Sequence, residues 1–83
     1  MTTKKDFTIE VYADNGFSLL NRMINIFNRR HIRIKRVLAT EMKDNHRQGM
    51  ASFVLYTTAE QLAVIRPQIE KLIEVERTVI LEN

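Results

Sequence analysis

The stretch Asp14-Asn15-Gly16-Phe17-Ser18-Leu19-Leu20 joins a turn dipeptide to a serine placed to cap a helix. The chemistry such a corner offers is capture of an anion. A helix start carries free N–H donors and partial positive charge, which suits a carboxylate. Beyond it, residues 15–40 hold Arg22, Arg29, Arg30, Arg33, Lys35 and Arg36 and no acid, while the whole chain carries a net charge of only +3. One side of the molecule is therefore expected to be positive. A solvated helix face explains that in the plainest way; a surface for an acidic partner is the functional reading.

Covalent and redox chemistry find no support. The chain has no cysteine, hence no disulfide framework and no thiolate. His31 and His46 have no partner at metal-ligand spacing and read as turn or surface residues. Ser18 and Ser52 lack a recognisable base and orienting acid. With only Gly16 and Gly49, there is no glycine-rich phosphate loop.

The elements that must position these residues follow from periodicity. Eighty-three residues, 45% of them apolar, make one domain (residues 1–83, core about 6–81) with enough apolar surface to close a core. No apolar run of about 18 residues and no apolar N-terminal stretch is present, so a soluble cytoplasmic chain is expected. Phe7, Ile9 and Val11 alternate with Thr8, Glu10 and Tyr12, the period of a half-buried strand. Leu19, Leu20, Met23, Ile24 and Phe27 recur at helical spacing, with Ser18 as cap and Arg29 and Arg30 in the last turn, where the helix dipole favours cations.

Ile32 to Thr40 reads as a second strand. The consecutive cations Lys35 and Arg36 break its alternation and predict a bulge between Ile34 and Val37. Met42 to Gly49 reads as a polar hairpin loop, and Ala51 to Thr57 as a third strand with Phe53 and Leu55 on one face and Ser52, Val54 and Tyr56 on the other. Thr58 with Gln61 fits a capping box opening a helix along Leu62, Ile65, Ile69, Leu72 and Ile73, kinked at Pro67. Val75 to Leu81 supplies a last strand. The order βαββαβ predicts an α+β, ferredoxin-like sandwich: a four-stranded antiparallel sheet with two helices on one face.

That order admits several functions. Acylphosphatases share it, but Tyr12 to Ser18 contains no glycine-rich anion loop with an arginine, so an enzyme is not expected. RNA recognition motifs share it too, and stack bases on sheet aromatics. Here Phe53-Val54-Leu55-Tyr56 carries a faint likeness to their motif, yet Ala51 stands where an aromatic is needed and Glu10 falls on the open sheet face.

Two segments narrow the choice. Ile26-Phe27-Asn28-Arg29-Arg30 followed by His31-Ile32-Arg33-Ile34, and Gln68-Ile69-Glu70-Lys71-Leu72-Ile73-Glu74-Val75, resemble the ACT domain of the regulatory small subunit of acetolactate (acetohydroxyacid) synthase. The likeness runs from about Asp6 to Leu81. It implies a non-catalytic regulatory subunit that activates a large enzyme of branched-chain amino acid biosynthesis. The thiamine diphosphate, magnesium and FAD of the holoenzyme would sit in that catalytic subunit, with no cofactor or metal in this chain. It also implies a homodimer binding a branched-chain amino acid at its interface, beside the loop between first strand and first helix. On that alignment the effector residues are Asn15, Ser18, Leu19, Leu20 and Arg33, and the partner-facing cations are Arg29, Arg30, Lys35 and Arg36. Phe17 and Ser18 stand where the family has proline and glycine; Arg33, Lys35 and Arg36 replace its asparagine, glutamate and small residue. A stand-alone ACT amino-acid sensor for another enzyme and an RNA-binding module are the alternatives.

Overall fold

The computed structural model describes residues 3–14, 16–42, 45–72 and 75–82. Its elements run β1 (Lys5–Asp14), α1 (Gly16–Arg29), β2 (Arg33–Met42), β3 (Asn45–Thr57), α2 (Ala59–Glu70) and β4 (Val75–Glu82). The strands form one antiparallel sheet in the order β2-β3-β1-β4. This is the ferredoxin-like sandwich that the alternation and helical periods predict.

Period-2 alternation sorts each strand into a buried and an open row. Phe7, Ile9, Val11 and Ala13 of β1 and Ala51, Phe53 and Leu55 of β3 all point to one face and are buried. Leu19, Met23 and Phe27 of α1 and Leu62, Ile65 and Ile69 of α2 join them in a single core cluster, so both helices cover that face. Phe27 meets Phe53 edge to face, with ring centroids 5.0 Å apart, the geometry that aligns a ring's positive edge with its neighbour's negative face.

Local signals account for the boundaries. The Thr58 hydroxyl accepts the Gln61 N–H at 3.1 Å and opens α2. Pro67 sits inside α2, which continues unbroken to Glu70. At the other helix end, the Ile32 N–H reaches the Phe27 carbonyl and the His31 N–H the Asn28 carbonyl, both at 3.0 Å. This pair of bonds is a Schellman motif. It requires a left-handed residue after the cap, and His31 takes φ 56° there, a conformation glycine adopts at lower cost.

Two expectations are corrected. Helix α1 begins at Gly16, two residues before Ser18, so Ser18 is its third residue and not its cap. Met42 to Gly49 is not a loop: β2 runs to Met42 and β3 starts at Asn45, with Glu41 paired to Gly49 and Met42 to Asn45. Polar composition misled because this arm of the hairpin is held by backbone ladder bonds rather than by an apolar face. The predicted bulge is present, with register shifting between Ile34 and Arg36 as Lys35 becomes the extra residue.

Candidate functional site

The predicted effector corner lies where β1 turns into α1. Ala13, on the last turn of the β1 ladder, is buried, and Leu19 is 1% exposed with its side chain in the core; Leu20 is half-buried. Asn15 lies outside the described residues. What the corner offers a ligand is therefore the start of α1, with Leu19 committed to packing.

Arg33 lies elsewhere. It pairs with Tyr56, which pairs in turn with Asp6 near the start of β1, whereas the corner adjoins Asp14, paired to Gln48. The two positions are eight residues apart along the sheet, about 27 Å at the usual rise of a strand. Within one copy, Arg33 cannot reach a ligand held at the corner. The reason is topological: α1 carries the chain back to the starting end of β1, and β2 sets out from there.

The other cations scatter. Arg29 ends α1 on the surface. Arg30 and His31 line a cleft of about 480 Å³ with Lys4, Tyr56 and the first turn of α2. Lys35, displaced by the bulge, pairs with Asp6 at 2.9 Å. Arg33 and Arg36 share the open sheet face, opposite Tyr56 and Val54.

From the sequence that open face entered only through the RNA-binding alternative, and its composition could have been read further. Along β1 it carries Asp6, Thr8, Glu10 and Tyr12. The Tyr12 hydroxyl donates to the Glu10 carboxylate at 3.3 Å, and the Arg77 guanidinium lies 4.1 Å above the Tyr12 ring centroid. Beside this polar track, on β2 and β3, stand Arg33, Arg36, Leu38, Met50, Val54 and Tyr56. Leu38 is 56% exposed and Tyr56 39%.

β2 is also an edge strand of the described sheet. Val37 and Leu38 stand at the midpoint of the ten-residue strand, on opposite faces, and both are exposed. An edge strand with unpaired backbone groups and apolar flanks is a template for another strand. Among the described residues there is no cluster of three or more His, Cys, Asp or Glu able to hold a metal, and no helix is long and apolar enough to cross a membrane.

Similarity to solved structures is extensive and lies in shape. The chain superimposes on the C-terminal domain of the MgtC protein from Mycobacterium tuberculosis with a TM-score of 0.80 at 8% identity, covering 96% of this chain and 88% of that one. It matches the ACT domain of GTP pyrophosphokinase from Chlorobium tepidum with a TM-score of 0.77 at 12% identity, covering 95% of this chain and all of that domain. Ribosomal protein S6 from Thermotoga maritima gives 0.75 at 10% identity, covering 98% and 89%. No protein-family model and no curated protein matches the sequence. At such identities the likeness establishes the fold, which is that of ACT domains, and functions differ widely among proteins that share it.

Proposed function

We propose that this chain is a non-catalytic regulatory small subunit of acetolactate synthase, an ACT domain that acts as a homodimer on the catalytic subunit. The observation that carries the reading is the segment Phe27-x-Arg29-Arg30, with its family-like surroundings, closing the first helix of a chain folded as an ACT domain. Thiamine diphosphate, magnesium and FAD belong to the catalytic partner in this reading, and this chain supplies contacts alone.

The geometry bears on how a branched-chain amino acid would be held. Arg33 and the start of α1 lie at opposite ends of one copy. Antiparallel pairing of two β2 edges near the middle of the strand would carry each Arg33 toward the end of the other copy at which α1 begins. Such pairing sets the basic half of β2 (Arg33, Lys35, Arg36) against the half from Ala39 to Met42 of the second copy, which carries no cation. Arg33 nevertheless stands on the open face and α1 on the covered one, so the effector carboxylate is assigned to the α1 N–H donors of the corner, which suit a carboxylate.

An RNA-binding role is less well supported. The Tyr12 ring is covered by Arg77 and flanked by Glu10, which leaves Tyr56 as the exposed ring on the open face and places a carboxylate where phosphates would pass.

The deciding experiment mixes the purified chain with the acetolactate synthase catalytic subunit of the same organism. Co-elution and a rise in turnover are expected; unchanged elution together with unchanged turnover would refute the reading. Titration calorimetry with valine, leucine and isoleucine then tests the effector role. Binding is expected for the dimer.

A further inference from the structure

We infer that the β2–β3 half of the open sheet face docks a partner protein through an apolar segment with acidic flanks. The inference rests on the regulatory-subunit reading and deepens it by naming the surface.

Register makes the patch contiguous. Arg36 lies beside Val54, Leu38 beside Ser52 between Val54 and Met50, and Arg33 beside Tyr56. Leucine, methionine, valine and tyrosine framed by arginines match the composition of interface cores, where aromatics, methionine and arginine are enriched. A cluster of exposed apolar residues on a water-facing sheet marks an interaction site more often than scattered single residues do.

Charge selects the occupant. On the open rows of β2 and β3, from Arg33 to Thr40 and from Met50 to Tyr56, there are two arginines and no acid. Among the described residues, the acids of this face on β1 are engaged, Asp6 by Lys35 and Glu10 by Tyr12. A carboxylate-flanked segment therefore meets two guanidiniums on the patch, while a basic segment is repelled. Leu38, Val54 and Met50 provide burial rather than stacking, which favours a polypeptide over nucleic acid. A second copy paired along β2 does not cover this surface, because edge pairing extends the sheet in its own plane. It places two such patches side by side and doubles the docking area.

The absence of cysteine allows a direct test. Leu38→Cys and Val54→Cys place single thiols on the patch, and Val64→Cys places a control on the exposed side of α2. Maleimide labelling of this chain, read by its mass, is followed with and without excess acetolactate synthase catalytic subunit. Labelling at 38 and 54 is expected to slow about tenfold or more in the complex, and labelling at 64 to stay unchanged, as burial in an interface core excludes solvent. The Arg33→Glu/Arg36→Glu double variant is expected to keep its melting midpoint and to bind at least about tenfold more weakly.

If the complex forms with positions 38 and 54 labelled at their free rates, the docking surface is wrong and the regulatory reading stands. If the wild-type chain forms no complex, the reading fails and takes the inference with it. Protection that appears in the chain alone as its concentration rises would assign the patch to a second copy. Protection by a short single-stranded RNA, in place of the catalytic subunit, would assign it to nucleic acid. Either result overturns the inference.

Discussion

The two faces of this sheet are built from the same strands and obey different physics. On the helix-covered face, Ile9, Phe53 and Leu55 are fully buried, and their neighbours come from α1 and α2. On the open face, one residue along in each strand, Glu10, Val54 and Tyr56 stand half-buried or exposed. The first face is a closed system whose contents must fit one another. The second mixes apolar side chains with two arginines along β2 and answers to solvent and, in the docking inferred above, to a partner. The period-2 geometry of a strand allows adjacent residues to serve each face without interference.

Paired substitutions test that separation. Phe53→Ala removes a ring that packs on Phe27 and is expected to cost about 3–5 kcal/mol, with a lowered midpoint in urea unfolding. Val54→Ala, its immediate neighbour on the other face, should cost about 1 kcal/mol or less, since that side chain is already partly in water. Equal losses would abolish the distinction between the faces.

Among the described residues, the covered face carries a buried polar atom left unsatisfied. The Thr78 side chain faces Val11 on that side and is 7% exposed, and its hydroxyl finds no hydrogen-bond partner among the described residues. Thr78→Val removes the unsatisfied group at nearly constant shape and is expected to raise stability by about 1–2 kcal/mol. A loss in chemical denaturation would mean that the hydroxyl has an undetected role.

At the border of the two faces, His31 holds a left-handed conformation in the turn from α1 to β2. His31→Gly relieves that strain, less glycine's own entropy cost, for a net gain of roughly 0.5 kcal/mol. Thermal unfolding reads the change. A decrease would show that the imidazole makes a contact in the Arg30–Lys4 cleft worth more than the backbone relief.

A comparably small effect belongs to the open face. Lys35→Ala breaks a pair with Asp6 whose side chains are 42% and 35% exposed. About 0.2–1 kcal/mol is expected, fading as salt is added. A larger, salt-independent loss would make this ion pair part of the structural half of the molecule.

Much of the architecture was legible in the chain. Phe7-Ile9-Val11, the α1 stripe from Leu19 to Phe27, the Thr58–Gln61 cap and the Lys35 bulge are local signals, each decided by residues within a few positions of one another. The hairpin arm beyond Thr40 was not legible, because it is stabilised by cross-strand backbone bonds that leave no apolar trace. The cap assigned to Ser18 failed for a related reason: several polar residues near a turn can serve, and geometry chooses among them.

The candidate site divides along the same line. Residue types and spacing determined that a turn leading into a helix and a basic segment exist, since both are properties of contiguous chain. Which cations share a surface was decided only when the sheet closed. Arg33 and Arg36 came together with Leu38 and Val54, Lys35 was drawn to Asp6, Arg30 went to a cleft, and Arg33 was carried the length of the sheet away from the corner. Pairing between strands distant in sequence sets those neighbourhoods, and no local preference encodes the register by which they meet.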